Sequence, residues 1–285
     1  MAKSKIAVIG GGSWGTTVAS ILSRNACVTL WARNSDTVKE VNEEHRNSRY
    51  LGDLALHADL TATDDLRLAV QGAEAVIMGV PSNSFRDVLM DVVGDLTPGA
   101  PIISLTKGLE RGTKLRMTEI CKELAPDHPA GVLTGPNLAK EIMAGQAAAS
   151  VLALDDPAPA EWLQPLMNVG LFRVYTNPDA IGCELGGVFK NIVAIAVGMG
   201  DGFGAGDNTR AALITRGLAE MTRLGTALGG KAETFAGLAG MGDMIATCTS
   251  PQSRNRHVGI ELAKGRSIDD IIASMHMVAE GVKSA

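Results

Sequence analysis

Four cysteines are spread over 285 residues, at Cys27, Cys121, Cys183 and Cys248, and none forms a C-x-x-C pair. Thiols scattered in this way are usually core residues of a protein from a reducing compartment, and they argue against a metal or redox role. The five histidines contain no metal-spaced pair and set up no Ser-His-Asp arrangement, so a metal site is not expected. A basic excess is missing too. The formal net charge is −5, which points away from nucleic acid while leaving room for a local basic pocket around a phosphorylated metabolite. No apolar run reaches the roughly 18 residues of a membrane span, and the N-terminus enters a strand directly, without a signal-peptide pattern. The expectation is a cytoplasmic protein. With 46% hydrophobic and 20% charged residues, the chain has ample core for about two domains.

Glycine, by contrast, is plentiful: 33 residues gathered in turns and small-residue helices, not in a repeat. The first cluster, Gly10-Gly11-Gly12-Ser13-Trp14-Gly15, lies between an apolar run at 5–9 and a helix-like segment at 16–24. Strand, G-x-G-x-x-G, helix is the order that a dinucleotide-binding turn requires. Gly10 permits the tight turn, Gly12 lets the backbone approach a pyrophosphate, and Gly15 lets the helix pack closely on its strand. The anion then meets the unpaired N–H groups and positive dipole end of the helix. Residues 27–31 read as a second strand. An acidic residue just after it would grip the ribose 2′-hydroxyl of NAD, but the segment reads Trp31-Ala32-Arg33-Asn34, with no carboxylate until Asp36. A guanidinium at Arg33 instead suits the 2′-phosphate of NADP. The other reading of Arg33 is a solvated loop residue.

A polar helix is expected around 35–45, and further short apolar runs follow at 75–80, 101–105, 131–134, 148–154 and 171–175. Segments with helical spacing separate most of them, which argues for an α/β fold: a mostly parallel, doubly wound sheet with helices on both faces. The alternation stops at Asn177-Pro178. Beyond it the segments are long and lack β-rich runs, at 181–200, 209–228 and 256–264, and Gly265 sits where a glycine belongs after a helix end. The predicted organisation is a dinucleotide-binding domain at 1–178 followed by an all-helical domain at 179–285.

Several residues stand where chemistry is plausible. Lys107 follows a predicted strand, where ligands collect in open α/β sheets, although a loop lysine is often only solvated. Gly135-Pro136-Asn137 ends another strand; it offers backbone and side-chain amides, and Pro136 also suits the first position of a helix. Lys190-Asn191 interrupts an apolar helix. A lysine there either snorkels to the surface or is buried, and burial lowers an amine pKa toward values useful in proton transfer. Asp243, after Gly240-Met241-Gly242, either caps a helix starting at Met244 or pairs with Lys190. Ser253-Arg254-Asn255 precedes another helix and suits a phosphate, or serves as an ordinary cap through Ser253.

Taken in order, the glycine turn through Thr16, Thr106-Lys107-Gly108, Glu184 to Asn191, Gly204 to Thr209, Gly240 to Asp243 and Ser253 to Asn255 resemble the bacterial NAD(P)-dependent sn-glycerol-3-phosphate dehydrogenases. The resemblance covers essentially the whole chain. It implies a Rossmann domain followed by a helical domain, a homodimer, NADP or NAD as cofactor, and interconversion of dihydroxyacetone phosphate and sn-glycerol 3-phosphate for glycerophospholipid synthesis. By position it implies that Gly10, Gly12, Ser13, Trp14, Gly15, Arg33, Ala139, Val278 and Glu280 line the cofactor. Gly135, Asn137, Lys190, Asp243, Ser253 and Asn255 then hold substrate, while Lys107 and Arg254 serve both ligands. Lys190 is implied as the proton-transferring residue, with Lys107 and Asp243 orienting the reacting end.

The chain departs from the family pattern in two places. Asn137 stands where the family usually has serine, and the sequence ends at Ala285 where family members continue for several dozen residues of helix. Two other readings remain at this stage: a related two-domain hydroxy-acid dehydrogenase, disfavoured by the phosphate-gripping turn, and a catalytically silent nucleotide sensor, disfavoured by retention of Lys190 and Asp243.

Overall fold

The computed structural model describes residues 3–275 and 279–284. In chain order, the first part consists of β1 (Lys5–Ile9), α1 (Ser13–Leu22), β2 (Cys27–Trp31), α2 (Ser35–Glu44), α3 (Ser48–Leu51), β3 (Thr61–Thr63), α4 (Leu66–Val70) and β4 (Ala75–Met78). It continues with α5 (Ser82–Met90), β5 (Ile102–Ser104), α6 (Met117–Leu124), β6 (Ala130–Thr134), α7 (Ala139–Met143), β7 (Ala148–Leu154), α8 (Pro157–Met167) and β8 (Phe172–Asn177). The second part is helical: α9 (Ala180–Gly202), α10 (Asp207–Ala227), α11 (Ala232–Ala236), α12 (Asp243–Thr249), α13 (Arg254–Ala263), α14 (Ile268–Ser274) and α15 (Glu280–Ser284).

The eight strands form one sheet in the order β3-β2-β1-β4-β5-β6-β7-β8. Strands β1 to β6 pair in parallel, and so do β7 and β8. The chain order reverses between β1 and β4, the switch point outside which an open α/β sheet gathers its ligands. Strands covered on both faces read as continuous apolar runs, and β4 and β5 are buried at every residue. The edge strand β8 instead alternates buried and exposed positions over most of its length. This is a doubly wound, Rossmann-like sheet. Its core runs from Ile6 and Val8 through Leu30, Ile77 and Ile103 to Leu152 and Phe172.

Two compact units result. One comprises residues 1–106, 117–133 and 137–178; the other comprises 107–116, 134–136 and 179–285. Two short segments from the strand-rich half therefore pack with the helical unit, something the simple break after Pro178 does not express. In that unit α9 is the central rod. A Cβ on Gly198 would stand 2.1 Å from the Arg256 carbonyl oxygen, and one on Gly259 would stand 2.1 Å from that of Ile195. Helices α9 and α13 thus cross backbone to backbone, which only glycine allows. Leu185, Ala194, Val197, Met221, Phe235, Met244 and Cys248 form the apolar core around the rod.

Several details differ from the sequence reading. Helix α1 begins at Ser13, three residues before its apolar spacing becomes regular, because Gly12 serves as the N-cap. The short strand β3 was not anticipated; only three residues of it pair. Pro136 does not open a helix, since α7 starts at Ala139 behind Leu138. Helix α9 has a stretch of mean hydropathy 1.6 and is long and apolar enough to cross a membrane by length and composition. Two-thirds of that stretch is buried inside the protein, as in the core helix of a globular fold.

Candidate active site

Lys190 lies mid-way along α9 with only 5% of its surface exposed. A buried ammonium requires a counter-charge and hydrogen-bond acceptors. The Lys190 Nζ donates to Asp243 Oδ1 and, at 2.7 Å, to Thr247 Oγ1. Asp243 is positioned by a single π turn, Leu238–Gly242, that runs directly into α12. Because Gly242 already has helical dihedrals, Asp243 lies inside the helix and does not cap one starting at Met244. One turn later, Thr247 donates its hydroxyl back to the Asp243 carbonyl at 2.6 Å, which aims its oxygen lone pairs at the lysine.

The second carboxylate oxygen of Asp243 accepts from Lys107 Nζ at 2.6 Å, and the same ammonium reaches the carbonyl oxygen of Gly135 at 2.8 Å. Two lysines therefore share one carboxylate, leaving an excess positive charge in a largely dry site. Burial pulls the Lys190 pKa from its ordinary 10.5 down to about 8; the attraction of Asp243 opposes this shift, and repulsion from Lys107 adds to it. Each ammonium has three donors, and the bonds above use two on each lysine. The remaining N–H groups suit an oxygen-rich anion. Thr134 Oγ1, buried next to Gly135 in the chain, has no hydrogen-bond partner among the described residues.

A relay of amides supports the lysines. Asn191 Nδ2 donates to the Lys107 carbonyl at 3.0 Å and to the Gly187 carbonyl at 3.2 Å. Its Oδ1 accepts from Asn255 Nδ2 at 2.8 Å, and Asn255 Oδ1 accepts from the Gly281 N–H at 3.0 Å. The expected substrate residue Asn255 thus spends half of its side-chain hydrogen-bonding capacity on the protein. Ser253 caps α13 by accepting from the Arg256 N–H at 3.2 Å, while Arg254, beside it, is exposed. Glu280 opens α15 and is partly buried. Val278 falls outside the described residues.

In the other unit, the glycine turn has the form a diphosphate requires. Gly10 has φ +123°, and a Cβ there would meet the Gly79 carbonyl oxygen at 2.6 Å. A Cβ on Gly15 would lie 2.0 Å from the Gly10 carbonyl oxygen, so the helix packs down on the strand as anticipated. A Cβ on Gly12 would meet nothing within 4 Å among the described residues. No side chain caps α1, and its first turn carries no acidic residue, so its leading N–H groups are left for an anion. These features fit a dinucleotide.

Ser13 is the first residue of that helix. The Trp14 ring stacks edge-on against Phe172 with centroids 6.3 Å apart, and its Nε1 is buried without a partner among the described residues. Arg33 is exposed two residues beyond β2, next to Asn34, which caps α2. Ala139 packs against the core at the start of α7. Asn137 Oδ1 accepts from Ser150 Oγ at 2.5 Å, leaving Nδ2 buried and without a partner among the described residues.

Thr247 and Asn191 are site residues to which the sequence reading gave no role. Thr247 had one legible signal, its position one helical turn after Asp243.

Residues 5–160 match the family described as NAD-dependent glycerol-3-phosphate dehydrogenase N-terminus, and residues 179–285 match the corresponding C-terminus family. The chain is 64% identical over 281 residues to a glycerol-3-phosphate dehydrogenase [NAD(P)+] of Sphingopyxis alaskensis, covering 99% of this chain and 84% of the relative. It is 54% identical over 286 residues to the enzyme of that name from Mycobacterium avium, covering 100% of this chain and 84% of the relative. Among solved structures, the glycerol-3-phosphate dehydrogenase of Coxiella burnetii superposes with a TM-score of 0.94 at 40% identity, over 99% of this chain and 87% of that one.

Proposed function

The chain belongs to the NAD-dependent glycerol-3-phosphate dehydrogenase family, and from that premise we propose how its residues carry out the reaction. The protein is an NAD(P)-dependent oxidoreductase that interconverts dihydroxyacetone phosphate and sn-glycerol 3-phosphate, and its product feeds glycerophospholipid synthesis. The coenzyme, when bound, supplies or accepts a hydride at C2 of the substrate. Gly10, Gly12, Gly15, Ser13 and the Trp14 backbone hold its diphosphate, with Arg33, Ala139, Glu280, Arg254 and Lys107 completing its contacts. Lys190 donates a proton to the oxygen left on C2 as the carbonyl is reduced, and recovers it in the reverse direction. Atoms balance: carbonyl, hydride and proton give the secondary alcohol.

One observation carries this reading. Lys190 is a buried ammonium with a pKa near 8, oriented by Asp243 and Thr247 and therefore matched to proton exchange near neutral pH. A positioned acid of this kind contributes roughly 10²–10⁴-fold in rate. Lys107 adds positive charge where negative charge develops on the substrate oxygen. Arg254 grips the phosphate by charge-assisted hydrogen bonds at the start of α13, helped by that helix's N–H groups. Asn137 Nδ2 is a buried donor without a partner among the described residues, suited to a substrate oxygen in place of the usual hydroxyl. The working form is a cytoplasmic homodimer, by the resemblance to the family.

The test is the loss of reduced-nicotinamide absorbance with dihydroxyacetone phosphate set against a panel of unphosphorylated keto acids. Turnover confined to the phosphorylated ketone supports the reading; equal turnover of a keto acid defeats it.

A further inference from the structure

Asn47 is completely buried, yet its side chain points into the glycine turn and not into an apolar core. Nδ2 donates at 2.9 Å to the carbonyl oxygen of Gly11 and at 2.8 Å to Thr16 Oγ1. Its Oδ1 has no partner among the described residues. The amide orientation follows from chemistry: turning it over would face its oxygen toward the Gly11 carbonyl, which is itself only an acceptor. The protein thus tolerates a buried unpaired oxygen to keep two N–H donors on the turn.

The backbone holds Asn47 firmly in place. The N–H groups of Tyr50 and Leu51 donate to its carbonyl at 3.2 and 2.9 Å, and Leu51 is anchored in the core of the sheet unit. On the other side, the Ser48 N–H donates to Glu40 Oε1 at 3.0 Å, tying the segment to α2.

Resting on the reading that the glycine turn holds the coenzyme diphosphate, we propose that Asn47 is a positioning residue that fixes the Gly11–Gly12 peptide with its N–H facing the diphosphate. In a trans peptide the C=O and N–H point in opposite directions. Holding the Gly11 carbonyl inward therefore turns the Gly12 N–H outward, where it donates to no described protein group. The constraint is needed because both flanking residues are glycine. Rotating the peptide plane by about 180° takes Gly12 to positive φ, which glycine adopts without penalty. The rotated peptide would present a carbonyl oxygen to the diphosphate, replacing attraction with repulsion. The second bond, to Thr16, locks the amide of Asn47 to the first turns of α1, so turn and helix stay in one register.

The experiment measures dissociation constants for NADPH and for adenosine 2′-monophosphate, a fragment without the diphosphate. The proteins are the parent, Asn47→Leu, Asn47→Ala and Gly12→Ala, each with a thermal melt. The Asn47 variants are expected to weaken NADPH by at least about tenfold while the fragment Kd stays within about twofold, the signature of a lost diphosphate interaction. At saturating NADPH their kcat and KM for dihydroxyacetone phosphate should stay close to the parent's. NADPH and the fragment weakening together, with a lowered melt, would reduce Asn47 to a structural role and overturn the proposal. Unchanged NADPH binding in both Asn47 variants, with Gly12→Ala impaired, overturns the proposal and spares the cofactor reading. If Gly12→Ala also binds NADPH normally, the reading of the turn fails first, because a methyl there meets none of the described residues.

Discussion

Lys107 and Asp243 are 136 residues apart in sequence and 2.6 Å apart at Nζ and Oδ2. That bond joins a loop after β5 to the first turn of α12 and places the carboxylate between two ammonium groups. Its consequence is electrostatic: Asp243 is the counter-charge that lets a second lysine remain buried in α9.

Asp243→Asn tests that role directly. The amide keeps the size and loses the charge, leaving Lys190 and Lys107 facing each other without compensation. Breaking a buried pair from one side costs about 3–5 kcal/mol, so a clear fall in melting temperature is expected along with loss of turnover. An unchanged melt would show that the lysines find other compensation.

The pH dependence follows from the lowered pKa of Lys190. Reduction of dihydroxyacetone phosphate needs the ammonium, so kcat in that direction should be full below pH 8 and fall as pH rises through about 8. Oxidation of glycerol 3-phosphate needs the free amine and should rise through the same region. Initial rates in both directions across the alkaline range check this. Limbs that move in the same direction would exclude a single acid–base group.

Arg254→Ala should raise KM for dihydroxyacetone phosphate far more than it disturbs the fold, because the side chain is exposed on α13. Losing a charge-assisted phosphate contact costs about 1.5–3 kcal/mol, or about 10- to 150-fold in affinity. Titration of KM alongside a thermal melt separates the two effects. An unmoved KM would assign the phosphate to other groups.

Coenzyme preference is expected to lean toward NADPH without being strict. No carboxylate stands between β2 and Asp36 to repel a 2′-phosphate, and attraction from Arg33 would be screened by solvent at its exposed position. Arg33→Asp should reverse the bias in kcat/KM at fixed ionic strength. A ratio unmoved by the substitution would place Arg33 away from the ribose.

Much of this organisation is legible in the sequence because it rests on local pattern. Continuous apolar runs gave the central strands, and the glycine turn announced itself by spacing. Lys190 stood out as a charge in an apolar helix. What was not legible depended on partners distant in the chain. Thr247 is an ordinary helical threonine until Lys190 is brought against it, 57 positions away. Asn47 reads as a loop residue until Gly11 and Thr16 are seen to accept its amide. The edge-on contact of Trp14 with Phe172, 158 positions away, is likewise invisible until the fold brings the two rings together. The hold of Asn191 and Gly281 on Asn255 is not advertised by its local sequence either.

The central claim is that Lys190 transfers the proton, and Lys190→Met tests it most directly because methionine preserves the unbranched apolar stem and removes the ammonium. The measurement is kcat for NADPH oxidation with dihydroxyacetone phosphate, paired with the NADPH dissociation constant of the same preparation. The account predicts a kcat reduced by about 10²-fold or more with NADPH affinity nearly unchanged. A variant whose kcat stays within about threefold of the parent would contradict it.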